Sequence, residues 1–157
     1  MVDLTPEIVT LEPKTMAAMP ILDARNIQEV VAIWKKFVPL AMQLPNRIGS
    51  DFYAPRKLAS SNIAPSTTQH WAAVLVSSFN GLPPELEQLT IEGGTYAVFV
   101  HKGITKNFME SIEKVYAEWL PQSGYQLGQR LHFDRMGEKY LGPENPQSEE
   151  EIWIPIH

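Results

Sequence analysis

The sequence predicts an α+β fold: duplicated strand-helix-strand-strand units forming one antiparallel sheet with two helices on one face and a central pocket. Three observations carry that expectation. A stretch near the N-terminus recurs in the second half, each copy is followed by an amphipathic helical pattern that meets a proline, and two further extended stretches follow each helix.

Residues 9–19 read VTLEPKTMAAM and residues 89–99 read LTIEGGTYAVF. At a constant offset Thr10 matches Thr90, Glu12 matches Glu92, Thr15 matches Thr95 and Ala17 matches Ala97. Val9, Leu11 and Met19 match Leu89, Ile91 and Phe99 as apolar for apolar. Both copies are rich in β-branched and apolar residues around a turn-like centre, so each reads as a strand broken by a bend. Gly93-Gly94 lies between strand segments and reads as a turn or bulge rather than a phosphate loop.

The first helix is expected to start at Asn26 and the second at Asn107, each Asn capping free amides, with Glu29 and Glu110 at the capping-box position. Ile27, Val30, Val31, Trp34 and Phe37 or Val38 recur at helical spacing in the first, as do Phe108, Ile112, Val115, Tyr116 and Trp119 in the second. Pro39 and Pro121 are expected to stop them, the first resuming for a turn through Leu44. Extended stretches follow at roughly 47–58 and 69–79, and at 128–140 and 150–156. The reading is one domain over 1–157, with repeats at about 5–82 and 83–157.

The chain has 157 residues, 44% of them hydrophobic, which suits one ordinary domain with a core. No apolar run approaches the ~20 residues that cross a bilayer, and the N-terminus lacks a signal-peptide pattern. The absence of cysteine excludes disulfides and thiolate chemistry. A cytoplasmic location and no membrane partner are expected. The net charge of −5 and the scatter of 13 Lys and Arg without a basic cluster argue against direct nucleic-acid binding.

Enzymatic constellations do not emerge. His70, His101, His132 and His157 are scattered, without the i, i+4 pair of a helical zinc site, and no nucleophile elbow or dinucleotide fingerprint is present. No metal, cofactor or catalytic residue is therefore expected. Glu149 and Glu151 read as a solvated acidic loop.

The aromatic residues carry more. Trp34 and Trp119 lie on the apolar faces of the two helices, and Phe99, Trp71 and Trp153 lie in strands that could face them. They either fill the core or line a groove where two helices lie side by side on a sheet. Asp134, in LHFDRM, and Glu151, in EEIWIPI with Trp153 and Pro155 on its side by alternation, are the acids of interest. A carboxylate among rings would draw a desolvated cation, the rings adding roughly 0.5–2 kcal/mol. The competing readings are a surface pair of Asp134 with Arg130 or Arg135, and exposure of Glu151 at the strand entrance.

YAVFVHKG (96–103), YAEWLPQSGY (116–125) and HFDRM…EEEIWIPI (132–156) resemble the gyrase-inhibitor-like family, which includes effector-binding domains of AraC- and MerR-type multidrug-sensing regulators. TPEIVTLEPKTMAAM and VVAIWKKF resemble its opening strand and first helix, so the likeness covers almost the whole chain. The resemblance implies the same duplicated architecture and binding of organic molecules, often cationic and hydrophobic, between helices and sheet. It implies that the acid of the F-acid-x-aromatic strand meets the ligand's charge. That position is Asp134 here, where the family usually has Glu, and Met136 replaces the following aromatic. Glu151, Trp153 and Phe99 match the family pattern directly. With the first predicted strand beginning within ten residues of Met1, the chain resembles stand-alone members.

The expected function is binding of a small organic effector or drug, amphipathic and including cations, in an aromatic, acid-containing pocket, linked to sensing, sequestration or transcription regulation. The ligand-binding residues expected are Asp134, Glu151, Trp153, Phe99, Trp34, Trp71, Trp119 and Tyr53. The alternatives are a protein-interaction module modulating gyrase or a regulator, and a hydrolase with Asp134 or Glu151 as acid or base and Tyr53 as donor.

Overall fold

The computed structural model describes residues 2–58 and 67–157. The first repeat stretch forms β1 (Glu7–Leu11) and β2 (Lys14–Ile21), and its copy forms β5 (Glu87–Ile91) and β6 (Gly94–Lys102). Between them come α1 (Ile27–Met42), β3 (Phe52–Leu58) and β4 (Thr67–Leu75). After β6 come α2 (Phe108–Lys114), a π turn (Val115–Trp119), a closing helical turn (Leu120–Ser123), β7 (His132–Met136) and β8 (Glu149–Pro155). All eight strands form one sheet in the order β1-β6-β8-β7-β3-β4-β2-β5, every pair antiparallel.

The bends divide the repeat stretches, and each half lends its edge strand to the other. β1 pairs with β6, and β5 pairs with β2. β1 lies at one edge of the sheet and β2 next to the other, yet only Glu12 and Pro13 separate them in sequence. A chain reaches at most ~3.6 Å per residue, so the two edges must come close and the sheet must curl. The two bends touch: a Cβ at Gly93 would lie 2.9 Å from the Leu11 carbonyl oxygen and 2.9 Å from Pro13 Cδ.

Alternation along the strands assigns the two faces. Ala17, Met19, Ala72 and Val74 pack under Phe37 and Ala41 of α1. Ala97, Phe99, Ile152 and Ile154 pack under Phe108 and Ile112 of α2 and Val115 of the π turn. The register Ala54↔Asp134, Asp134↔Ile152 and Phe99↔Ile152 carries one face across the middle, so both helices cover the same side. The other face holds Met16, Ala18, Tyr53, Trp71, Ala73, Ile91, Tyr96 and Phe133. Among the described residues no helix lies over it, yet Tyr96 is fully buried, because the curl turns this face inward.

The helix boundaries depart from expectation in instructive ways. Asn26 does cap α1, its side chain accepting from the N–H of Gln28 (3.1 Å) and of Glu29 (3.3 Å). The Glu29 carboxylate reaches past it to accept the Asp23 N–H. Asn107 makes no side-chain cap, because a 3-10 turn (Thr105–Asn107) precedes α2. Pro39 does not stop α1, which runs on to Met42. Lys35, whose carbonyl loses its partner, and Pro39 are both exposed, so water can take the place of the missing N–H. Pro121 is accommodated differently: the helix widens into the π turn, and the Leu120 N–H bonds to the Val115 carbonyl. Gly124, at φ +80°, then ends it in the left-handed region. Among the described residues no helix is long and apolar enough to cross a membrane.

Gly94 opens β6 at φ +146°, and a Cβ there would lie 2.7 Å from the Arg130 guanidinium carbon. That guanidinium donates to the Thr95 carbonyl at 2.6 Å, so it cannot retreat freely. Gly94→Ala is expected to lower stability by about 2–4 kcal/mol in urea unfolding. Gly81→Ala, at φ +75° with open space around it, should cost only about 1–2 kcal/mol.

Candidate functional site

The halves meet where β3 pairs with β7. Equivalent residues of the two repeat stretches lie a constant distance apart in sequence, as Thr10 and Thr90 do, and Ala54 of β3 and Asp134 of β7 share that spacing. They also lie directly opposite each other in the ladder. The pseudo-two-fold axis therefore passes between them, on the helix-covered face, in the seam between α1 and the second helix.

Beside this pair stands Arg56. Its ladder partners are His132 on one side and His70 on the other. The Arg56 Nη1 donates to Asp134 Oδ2 at 2.7 Å, and the two residues are only 3% and 4% exposed. The contact uses one arm of each group. Arg56 Nη2 and Asp134 Oδ1 are buried and have no hydrogen-bond partner. Tyr116, carried by the π turn, shares a 2.7 Å hydrogen bond with His132 Nδ1 and stands close to the guanidinium. The widened turn that Pro121 requires is thus the segment that sends a side chain down into the seam.

Burial in this cluster disfavours charge. It pushes His132 down to about 3 and His70 to about 4, in both cases helped by the Arg56 charge. It raises the Tyr116 phenol, with Arg56 pulling the other way. Burial works against the Arg56 charge too, but Asp134 overrides it and holds the guanidinium protonated. Burial lifts Asp134 above the ordinary carboxylate range against the pull of Arg56. Glu150, opposite His101 in the β6–β8 ladder, faces the same cluster. Burial and the neighbouring Asp134 push it up to about 8.

The eight candidate residues divide between the two faces of the sheet. Asp134, Phe99, Trp34 and Trp119 are on the helix side. Trp119 packs edge-on to Phe99 at 5.0 Å, and Trp34 packs edge-on to Phe52 at 6.1 Å. Tyr53, Trp71, Glu151 and Trp153 are on the inward-curled side. There Phe133 stacks on Trp153 at 5.2 Å, and Trp71 Nε1 donates to Glu87 Oε1 at 2.9 Å. Glu151 Oε1 accepts from Trp153 Nε1 at 2.9 Å and from Arg135 Nη1 at 3.0 Å. Arg135 also bridges to Asp51 at 2.8 Å. Asp51, Val100, Arg135, Lys139, Glu149 and Glu151 line a depression of about 460 Å³.

One pocket containing both acids is therefore ruled out: Asp134 and Glu151 are neighbours in cross-strand sequence but point to opposite faces. The surface pair of Asp134 with Arg130 or Arg135 is also corrected. Arg130 lies over the Tyr96 ring at 5.1 Å, Arg135 serves Asp51 and Glu151, and the partner is Arg56. Arg56, Glu150, Tyr116, His70 and His132 were not among the sequence candidates for the site. Alternation along β8 would have found Glu150, since it shares a side with Ile152 and Ile154. Among the described residues no group of three or more His, Asp or Glu is placed to hold a metal ion.

The Glu150 carboxyl titrates at about 8 in the folded chain against an ordinary 4.5. The folded state then holds a proton that the unfolded state has lost, so this group's contribution to stability falls as pH rises from about 4.5 to about 8. Glu150→Gln is expected to flatten that decline and to add on the order of 1–2 kcal/mol at pH 8. His70 and His132 act oppositely, costing stability as pH falls below their ordinary 6.5. Urea unfolding of both proteins at intervals from pH 5 to 9 checks the sign; parallel curves would count against it.

Residues 7–156 match the family model described as integron-associated effector binding protein. The transcriptional regulator BrlR of Pseudomonas aeruginosa is 28% identical over 76 residues, which are 48% of this chain but only 28% of the regulator's length. The C-terminal domain of EcmrR superposes with a TM-score of 0.71 at 11% identity, covering 98% of this chain and 97% of that one. A protein solved with tetraphenylphosphonium gives 0.67 at 12% identity, covering 97% and 93%. A hydrolase from Listeria innocua gives 0.53 at 12% identity, covering 97% and 91%. At such identities these three share the fold alone.

Proposed function

The chain belongs to the integron-associated effector-binding proteins, and we propose that it binds an amphipathic organic effector in the seam between its two helices, over Ala54 and Asp134. The observation that carries this is the buried Arg56–Asp134 pair with one free arm on each side. A buried polar atom without a partner costs about 1–3 kcal/mol, and such a cost persists most readily where a ligand offsets it. Ala54 supports the placement: it is only half-buried although it sits on a central strand beneath the helices. Trp119 and Phe99 on one flank, and Trp34 and Phe52 on the other, offer apolar surface beside the polar centre.

The tetraphenylphosphonium complex of a protein with this fold makes lipophilic cations a fair class to try first. The likeness to part of BrlR supports a link to regulation, with the acidic net charge favouring a small organic ligand over nucleic acid. Binding is the better reading than turnover. Asp134 is tied to Arg56, and Tyr53, the proposed donor of a hydrolase, lies on the other face from it. Tyr53 does share a face with Glu151, but Glu151 Oε1 is engaged by both Trp153 and Arg135. A gyrase- or regulator-modulating role has no comparable feature behind it.

Tryptophan emission should report occupancy. Titration with tetraphenylphosphonium and with uncharged triphenylphosphine oxide is expected to give a saturable change for at least one of them. Trp119→Ala should weaken it about tenfold or more, whereas Trp71→Phe, on the far face, should leave it intact. No saturable change with either probe, or loss with Trp71→Phe and not with Trp119→Ala, would refute the placement.

A further inference from the structure

We infer that Arg56 is a tethered cation occupying the place beside Asp134, so that the seam prefers an uncharged ligand with a hydrogen-bond donor next to an acceptor, such as a lactam, imide or ureide edge, over a lipophilic cation. This deepens the reading of the seam as a ligand site and rests on it.

Three features point that way. First, Arg56 Nη1 already neutralises Asp134 Oδ2 at 2.7 Å inside the protein, so an incoming cation meets a compensated carboxylate with a guanidinium beside it. Second, the pair meets through a single contact rather than as a two-pronged fork, leaving Nη2 as a spare donor and Oδ1 as a spare acceptor. A cis-amide edge, with C=O and N–H side by side, offers one acceptor and one donor, the number and kind those two atoms lack. Third, the groups around them do not supply net negative charge. His132 and Tyr116 are occupied with each other and neutral, His70 is neutral, and Glu150 keeps its proton near neutrality. Two charges taken out of water gain little stability over a well-packed apolar pair, so a recognition role gives this pair a reason to exist.

The test uses the full chain at pH 7 and three probes of similar bulk: 5,5-diphenylhydantoin, its 1,3-dimethyl derivative, which lacks the N–H donors, and tetraphenylphosphonium. Calorimetry or tryptophan quenching is expected to rank diphenylhydantoin at least tenfold tighter than either other probe. Arg56→Met should exchange the preference, weakening diphenylhydantoin at least tenfold and strengthening tetraphenylphosphonium at least tenfold. Because that variant leaves a buried carboxylate unpaired and could fail to fold, Asp134→Asn is the second arm. It keeps the guanidinium, so it should weaken diphenylhydantoin and leave tetraphenylphosphonium no tighter. Wild-type protein that takes tetraphenylphosphonium as tightly as diphenylhydantoin, an unchanged ranking in Arg56→Met, or an unchanged diphenylhydantoin affinity in Asp134→Asn overturns the inference while leaving the seam as a binding site. Saturable binding of none of the probes overturns both.

Discussion

Between β3 and β7 the two halves share one short antiparallel ladder, from Phe52↔Met136 to Arg56↔His132. A slip of one residue there would turn every side chain of one half to the opposite face. The helix-side layers under α1 and α2 would then no longer share a side, and Asp134 would leave the axis. The register is held by what it buries: Tyr53 and Phe133 on one face, Arg56, His132 and Asp134 on the other. A pairing slipped by one would carry the Arg56 guanidinium away from Asp134, its carboxylate partner on the helix side. The ion pair thus acts as a register mark as well as a polar centre.

The exchange of edge strands explains how a sheet with helices on one side can be dry on both. A flat sheet of this order would expose Trp71, Tyr53 and Phe133 to water. The bends at Glu12-Pro13 and Glu92-Gly93 forbid flatness, because each repeat stretch must pass from an edge strand to the strand beside the opposite edge across two residues. The inward face becomes a core of its own, with Tyr96, Phe133 and Trp153 in mutual contact at 5.2–6.1 Å. Aromatic residues in this chain consequently have two distinct employments. Those on the inward face pack against one another inside the curl, and those on the helix face, such as Phe37 and Phe99, pack between sheet and helices.

This division is why the fold was easier to read than the site. The repeat, the Asn26 cap, the helical spacing and the extended stretches are local patterns, and each corresponds to an element of the structure. The proline stops failed because helices tolerate a lost N–H at an exposed turn, or widen to avoid it, and which occurs depends on surroundings that spacing does not encode. Site residues depend on the face, and the face depends on register across strands far apart in sequence. Glu151 and Asp134 looked like partners because each is an acid next to bulky residues. The β7–β8 ladder pairs Asp134 with Ile152 and Glu151 with Arg135, and pleating then separates the acids. Arg56 carried no local signal at all: a lone arginine between Pro55 and Lys57 reads as surface until β3 is known to be central.

The aspartate at 134, where the resemblance read from the sequence implies a glutamate, has a physical partner in its neighbour Arg56. A glutamate at 134 would extend about one methylene further from the sheet, toward whatever entered between the helices. An aspartate holds its carboxylate back against the strands, where Arg56, two residues along the adjacent strand from the ladder partner Ala54, reaches it at 2.7 Å. The shorter acid and the arginine therefore work as one device: shortening alone would leave a buried charge unmet, and the arginine alone would put a bare cation in an apolar seam. Together they form a buried dipole rather than a lone charge. A shared fold leaves the chemistry of such a seam to the side chains that line it, here Asp134 and Arg56.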